Sequence, residues 1–166
     1  MSDESHLLAC IPRLRRYARA LAGDRAGADD LVQDTMERAW QKMSSWRKGT
    51  DMRPWLFSIM HNLHVDQRRK PVIPTVTLDD EDALAVPAHA PDRLAGYDLE
   101  SALRLLAAEQ REILLLVVLE EMTYEEVAAT LSIPIGTVMS RLSRARERLR
   151  GLVEGRPQHS PLKVVK

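Results

Sequence analysis

Several things are scarce in this chain of 166 residues, and each scarcity excludes a class of protein. There is one cysteine, Cys10, so neither a disulfide framework nor a cysteine-based zinc site holds the fold, and stability must come from packed apolar surface. Long apolar runs are missing as well. The longest, Ile113 to Leu119, is seven residues, whereas a spanning helix needs about 20. The start Met1-Ser2-Asp3-Glu4 lacks the basic, then apolar, then small-residue order of a signal peptide. The expectation is a soluble cytoplasmic protein with no membrane insertion. Net charge is absent too, 24 Lys+Arg standing against 24 Asp+Glu.

Zero net charge argues against a free nucleic-acid binder, which needs a basic excess to displace counterions from phosphates. Here zero is an average over unlike segments. Residues 1–70 carry 13 basic and 9 acidic side chains, 71–100 carry 1 and 7, and 101–136 carry 2 and 6. The balance turns basic again in 137–150, with 5 against 1, and in the tail, with 3 against 1. Two basic stretches separated by an acidic one describe a protein that meets phosphates at two places, binds DNA weakly alone, and needs a larger partner.

Four prolines (Pro71, Pro74, Pro87, Pro91) and the run Asp79-Asp80-Glu81-Asp82 interrupt any helical period over 71–98, which reads as a linker. No strand alternation and no internal repeat is present. The expected fold is therefore all-α: a helical domain over 5–70, the acidic linker 71–98, expected to be flexible, a second helical domain over 99–152, and a tail over 153–166. In the first domain Leu7, Leu8, Ile11, Leu14, Tyr17, Ala18, Leu21 and Ala22 recur at helical steps, with Pro12 marking a kink or a first turn and Gly23 the end. From about Ala26 a second stripe holds Ala28, Leu31, Val32, Met36, Ala39, Trp40 and Met43. The opposite face of that helix holds Asp30, Gln33, Asp34, Glu37 and Gln41. A third helix over about 52–70 turns Trp55, Leu56, Ile59, Met60 and Leu63 inward, leaving Ser58, His61, Asn62, Asp66, Arg68 and Arg69 outward.

Aromatics number only seven, yet Trp40, Trp46, Trp55 and Phe57 crowd together amid Arg47, Lys48, Arg53, Arg68, Arg69 and Lys70. Flat faces among cations suit single-stranded nucleic acid, where stacking is worth about 1–3 kcal/mol per base. Trp40 and Trp55 lie on apolar stripes and read as core. Trp46 lies beyond the stripe in a polar turn, and both a core and a base-stacking role stay open for it.

The second domain carries a sharper pattern. Thr123-Tyr124-Glu125-Glu126 is a capping box opening a short helix with Val127, Ala128 and Leu131 inward, Ser132-Ile133-Pro134 makes a turn, and Pro134 suits the first position of the next helix. Along that helix Val138, Leu142, Ala145 and Leu149 form a buried stripe. The other arc presents Gly136, Thr137, Ser140, Ser143, Arg144 and Glu147, flanked by Arg141 and Arg148 on one side and Met139, Arg146 and Arg150 on the other. Small polar groups near a helix N-terminus with arginines along its sides are what a recognition helix in the major groove needs. The same pattern also describes a solvated basic face.

His61, His64 and Asp66 are residue types that bind metals, but their spacing does not make a site. Histidines three apart point about 60° from each other and no third matched ligand accompanies them, so neither metal nor cofactor is expected. Signatures of nucleophilic or phosphate-loop chemistry are absent, and no enzyme is expected.

Asp30-Leu31-Val32-Gln33-Asp34 with Arg38-Ala39-Trp40, then Trp55-Leu56-Phe57-Ser58-Ile59 with Asn62, Asp66 and Arg68-Arg69, and last Gly136-Thr137-Val138-Met139-Ser140-Arg141-Leu142 with Arg144-Ala145-Arg146 together resemble a bacterial sigma factor of the extracytoplasmic-function (ECF) group of the sigma-70 family. The resemblance spans all but the linker and tail. It implies an RNA polymerase subunit that directs core polymerase to promoters, with sigma region two over 5–70 and region four over 99–152. It implies a core-docking face at Asp30, Gln33, Asp34 and Glu37 and a minus-ten site at Trp46, Arg53, Ile59, Asn62, Asp66, Arg68 and Arg69, where a flipped base is held. It also implies a minus-thirty-five face at Thr137, Ser140, Arg141, Ser143, Arg144 and Arg148. Promoter DNA and an anti-sigma factor are the further partners it implies, in a stress or envelope-type response. Two departures stand out. Met139 occupies a place where the family often has a basic residue, which leaves the preferred promoter sequence open, and Ala107-Ala108 replaces a Leu-Pro pair, which affects a helix boundary. A self-sufficient helix-turn-helix regulator is the competing reading. The neutral charge, the acidic linker and the lack of a dimerisation seam count against it.

Overall fold

The computed structural model describes residues 2–69 and 96–155; most of the expected linker and tail lies outside the described residues. Among the described residues there are eight α-helices and no strand. The first lobe comprises α1 (Asp3–Ala9), α2 (Ile11–Ala22), α3 (Arg25–Gln41) and α4 (Met52–Arg69). The second comprises α5 (Leu99–Leu105), α6 (Ala108–Leu114), α7 (Tyr124–Leu131) and α8 (Ile135–Glu154).

Local chemistry accounts for most boundaries. Cys10 separates α1 from α2, so Pro12 sits in a first turn, where its missing N–H costs nothing. Gly23, at φ 80°, ends α2 in the left-handed region, where a side chain would strain the backbone. Asp24 then caps α3, its carboxylate accepting from the Gly27 N–H at 2.7 Å. Asp51 plays the same part for α4, accepting from the Arg53 N–H at 3.0 Å. Thr123 caps α7 by accepting from Glu126 N–H at 3.1 Å, as the capping box requires. Pro134 is the cap of α8 rather than its first residue. Ala107 opens α6 without a side-chain cap, so the pair Ala107-Ala108 does mark a helix boundary.

The apolar stripes bury as their periods demand. Leu14, Tyr17, Ala18 and Leu21 of α2 meet Ala28, Leu31 and Val32 of α3 and Leu56, Phe57 and Met60 of α4. Tyr17 and Phe57 stack tilted, with centroids 4.7 Å apart, so Phe57 is core and unavailable to nucleic acid. In the second lobe Ile113, Leu116, Val127, Val138, Leu142 and Ala145 are buried. One correction concerns Trp40, which the stripe assigns to the core. It is 57 % exposed while the adjacent Ala39 is fully buried, so in the last turn of α3 the inward position belongs to Ala39 and Trp40 falls outside it.

The two lobes touch. α4 packs against α7, and α2 against α6 and the turn after it, so the buried residues form one continuous cluster. That turn is a π-helical segment over Leu115–Leu119, closed by Glu120 N–H donating to Leu115 C=O at 3.1 Å. It inserts a residue into the helical register. Glu121 follows in the left-handed region at φ 53°, and together these turn the Glu120 side chain inward, where it is fully buried. At the other end of the lobe Gly96 lies so close to α8 that an added Cβ would fall 1.9 Å from the Val153 carbonyl oxygen, and the neighbouring Tyr97 N–H donates to Leu152 C=O at 3.0 Å.

Replacing Thr123 by Ala removes one cap and is expected to lower stability by about 1 kcal/mol. Urea unfolding followed by circular dichroism measures this, and an unchanged midpoint would contradict the capping role.

Candidate nucleic-acid interface

Four surfaces carry the residues singled out from the sequence. On α3, Asp30, Gln33, Asp34 and Glu37 are all exposed on one side, while Leu31, Val32 and Thr35 between them are buried. Thr35 was not anticipated as core; its hydroxyl is satisfied by donating to Leu31 C=O at 2.7 Å, which lets a polar residue occupy the stripe. Alongside the acidic face runs a groove of about 490 Å3 with an apolar floor of Ile11, Val32 and Met36, rimmed by Arg15, Arg19, Arg25, Asp29 and Gln33.

On α4, Asn62, Asp66, Arg68 and Arg69 are exposed at the C-terminal half and Ile59 is half-buried. His61, expected outward, is instead turned to the second lobe, its Nδ1–H donating to the Glu112 carboxylate. His64 is half-buried, and desolvation, with Arg68 adding to it, lowers its pKa. Among the described residues no cluster of three or more His, Cys, Asp and Glu could hold a metal ion.

In the turn between α3 and α4 the core reading of Trp46 holds. Trp46 is 8 % exposed, folded beneath α1 beside the His6 ring at 6.3 Å. Yet its indole N–H has no partner, and neither has His6 Nδ1. Both line a groove of about 660 Å3 with Asp3, Cys10, Thr50, Asp51 and Arg53. Buried polar atoms normally find partners, so the sealed indole N–H carries a desolvation cost that no described residue offsets. Arg53 is not a loose cation: its Nε and Nη2 clasp Asp51 at 2.9 and 2.6 Å. That clasp, chiefly the side-chain hydrogen bond, holds the Asp51 carboxyl below its ordinary value.

On α8 the buried stripe leaves Ser140, Ser143 and Arg144 exposed, with Thr137 half-exposed. Gly136 is exposed and an added Cβ there would meet nothing, so packing does not require glycine at that point. Arg141 and Arg148 are partly occupied. Arg141 faces Glu109 at 3.9 Å, and Arg148 donates to Leu105 C=O at 3.4 Å.

Sequence reasoning missed the polar contacts that join the lobes. Glu120 lies 3.6 Å from Arg13 and 3.8 Å from Arg16. Its pKa is raised, by burial first and against the pull of Arg13, Arg16 and Arg53. Arg111 spans both lobes, donating to Leu103, Arg104 and Leu106 carbonyls at the end of α5 and to Leu21 C=O at the end of α2 at 2.9 Å. One guanidinium thus satisfies two helix ends.

Comparison with known proteins gives two family matches. Residues 7–61 match the Sigma2 domain of PhyR, and residues 97–149 match Sigma-70, region 4. The chain is 36 % identical to the ECF RNA polymerase sigma factor EcfG of Rhodopseudomonas palustris, over 93 % of this chain and 88 % of that protein. It is 35 % identical to ECF RNA polymerase sigma factor SigL of Mycobacterium tuberculosis, over 82 % of this chain and 80 % of that one. Among solved structures, the sigma factor RpoE of Bartonella quintana, in complex with the anti-sigma factor NepR, superposes with a TM-score of 0.70 at 36 % identity, covering 90 % of this chain and 94 % of that one. Among the described residues no helix is long and apolar enough to cross a membrane.

The exposures above have an optical consequence. Trp40→Phe should remove the largest share of acrylamide-quenchable tryptophan fluorescence, while Trp46→Phe should leave that share almost intact. The reverse order would show Trp46 to be the exposed ring.

Proposed function

Because the chain belongs to the ECF RNA polymerase sigma factors, we propose in detail how its lobes divide the work of directing transcription initiation. Residues 5–70 dock on core polymerase and capture the minus-ten element; residues 99–152 read the minus-thirty-five element. The protein acts by binding in the cytoplasm and performs no catalysis of its own.

Docking falls to Asp30, Gln33, Asp34 and Glu37. Three carboxylates and an amide fixed on one rigid helix face give a register-setting patch for a basic partner, and such complementarity favours association rate and orientation. The neighbouring arginine-rimmed groove shares Gln33 with this face, so a partner seated on the acids reaches the groove as well.

Minus-ten capture falls to α4 and the turn before it. Without nucleotide hydrolysis, base capture must offset an unstacking cost of a few kcal/mol per base. Asn62 presents an amide that can hydrogen-bond a base edge, Ile59 an apolar wall, and Arg68 and Arg69 phosphate contacts; Asp66 limits the approach of further phosphates. The groove beneath α1, which the Trp46 side chain helps to line, supports a base pocket with an aromatic residue in its wall. Arg53 shapes that pocket through its clasp on Asp51.

Minus-thirty-five reading falls to the start and middle of α8. Thr137, Ser140 and Ser143 are short enough to bring the helix close to base edges, Gly136 leaves room for a backbone approach, and Arg144 can pair bidentately with guanine. Arg141 and Arg148 hold the flanking phosphates once released from Glu109 and Leu105. An anti-sigma factor, of the kind that accompanies the Bartonella relative, is the natural restraint on such a protein, and a stress-type response is the setting.

The observation that carries this reading is the coincidence of the α3 acidic face and the α8 polar face, both exposed, within a chain related to sigma factors over 93 % of its length. A double reversal, Asp30→Lys with Asp34→Lys, should lower affinity for core polymerase at least tenfold and abolish promoter-directed transcription in vitro, with far-UV dichroism unchanged. Undiminished core binding would overturn the docking assignment.

A further inference from the structure

We propose that Met139 sets part of the specificity of α8: its side chain selects thymine at one position of the minus-thirty-five element by contact with the 5-methyl group of that base. The inference rests on the promoter-reading assignment above and names a base within it.

Met139 is out of keeping with its surroundings. It lies in the second turn of α8 and is 50 % exposed, although Val138 and Leu142 beside it already fill the buried stripe. The rest of the exposed arc presents hydroxyls, guanidiniums and a carboxylate. Four residues earlier Ile135 is also exposed, so the two form a short apolar strip along one side of the helix, about 6 Å long at about 1.5 Å per residue. Long helical side chains lean over the preceding turn. In that turn Gly136 has open space where a Cβ would stand, so it leaves room for the Met139 side chain.

The same flank fixes where Met139 would meet DNA. It forms one lip of a groove of about 250 Å3 whose other walls include Tyr124, Arg146 and Arg150. Arg146 is exposed, and Arg150 is held only loosely by Glu147 at 3.9 Å, so both can reach the phosphates of one strand. Ser140 and Ser143, nearer the middle of the arc, approach base edges. Met139 therefore stands between backbone and bases, where the methyl group of a thymine projects into the major groove. Guanine offers two acceptors there, adenine an acceptor and a donor, cytosine a donor, and thymine alone a methyl group. A thioether satisfies none of those polar groups, so seating it on guanine, adenine or cytosine leaves a buried group without a strong partner. Seating it on the methyl removes apolar surface of both from water.

Deoxyuridine, which is thymine without the methyl group, tests this on the full chain bound to core polymerase. Promoter duplexes selected from a library randomised through the minus-thirty-five element should carry thymine at one position of one strand. Replacing that thymine by deoxyuridine should weaken binding about fourfold, the worth of one buried methyl group. Met139→Ala, a change at a surface position that keeps helicity, should lose the thymine enrichment there and become indifferent to the deoxyuridine replacement, while preferences at the other positions persist. The inference is overturned if other positions are selected but no thymine is, if deoxyuridine changes nothing, or if its effect is undiminished in Met139→Ala. A library that returns no preference at any position would instead overturn the assignment of α8 to the minus-thirty-five element, and this inference with it.

Discussion

Burial of acidic side chains opposite cations of the other lobe is the constraint around which this molecule is arranged. A chain with equal numbers of acids and bases could scatter them in water. Here two glutamates, Glu112 and Glu120, are only 3 % and 2 % exposed, and the groups that face them come from the first lobe. Removing charges from water is costly unless they are paired, and pairing across a lobe boundary makes the boundary itself dependent on charge. Zero net charge then has a structural meaning. The basic first lobe and the acidic start of the second neutralise one another across that boundary.

On the proposed assignment, weak and divided binding follows from the same arrangement. Each lobe would then offer only a few phosphate contacts, each contributing modestly and in a salt-dependent way. Discrimination has to come from joining two modest readings, which requires their separation to be fixed by something larger than either lobe. A partner that holds both lobes converts the second contact into an intramolecular event with a high effective concentration. The acidic face of α3 is suited to such a partner, and the polar face of α8 to DNA; the two sit on different lobes, and both are exposed.

Much of this was legible in the sequence, for physical reasons that differ by residue. Helical period alone gives the outward set Asp30, Gln33, Asp34 and Glu37, because three- and four-residue spacing survives any tertiary context in which the helix forms. Thr123 and Glu126 announce the start of α7, since capping is a local hydrogen bond. Trp40 and Trp46 were harder to separate. Trp40 follows the apolar period but the buried position at that turn goes to its neighbour Ala39, and Trp46 lies off the stripe yet is folded under α1 by a short 3-10 turn, Met43–Ser45. The lobe contact was not legible. His61 and Glu112 are 51 residues apart and Arg111 and Leu21 are 90, so no local pattern links them. Glu120 faces inward where a π turn shifts the register and Glu121 turns left-handed, and Leu115 to Leu119 read as an ordinary apolar run.

Dependence of DNA recognition on polymerase is the claim that most needs direct measurement. Equilibrium binding of a fluorescent promoter duplex can be measured at physiological salt, with the purified chain alone and with the chain plus core polymerase. The account predicts weak binding, indifferent to sequence, by the chain alone, and tight binding that vanishes when either promoter element is scrambled once polymerase is added. Tight, sequence-selective binding by the chain alone, unchanged by polymerase, would contradict it.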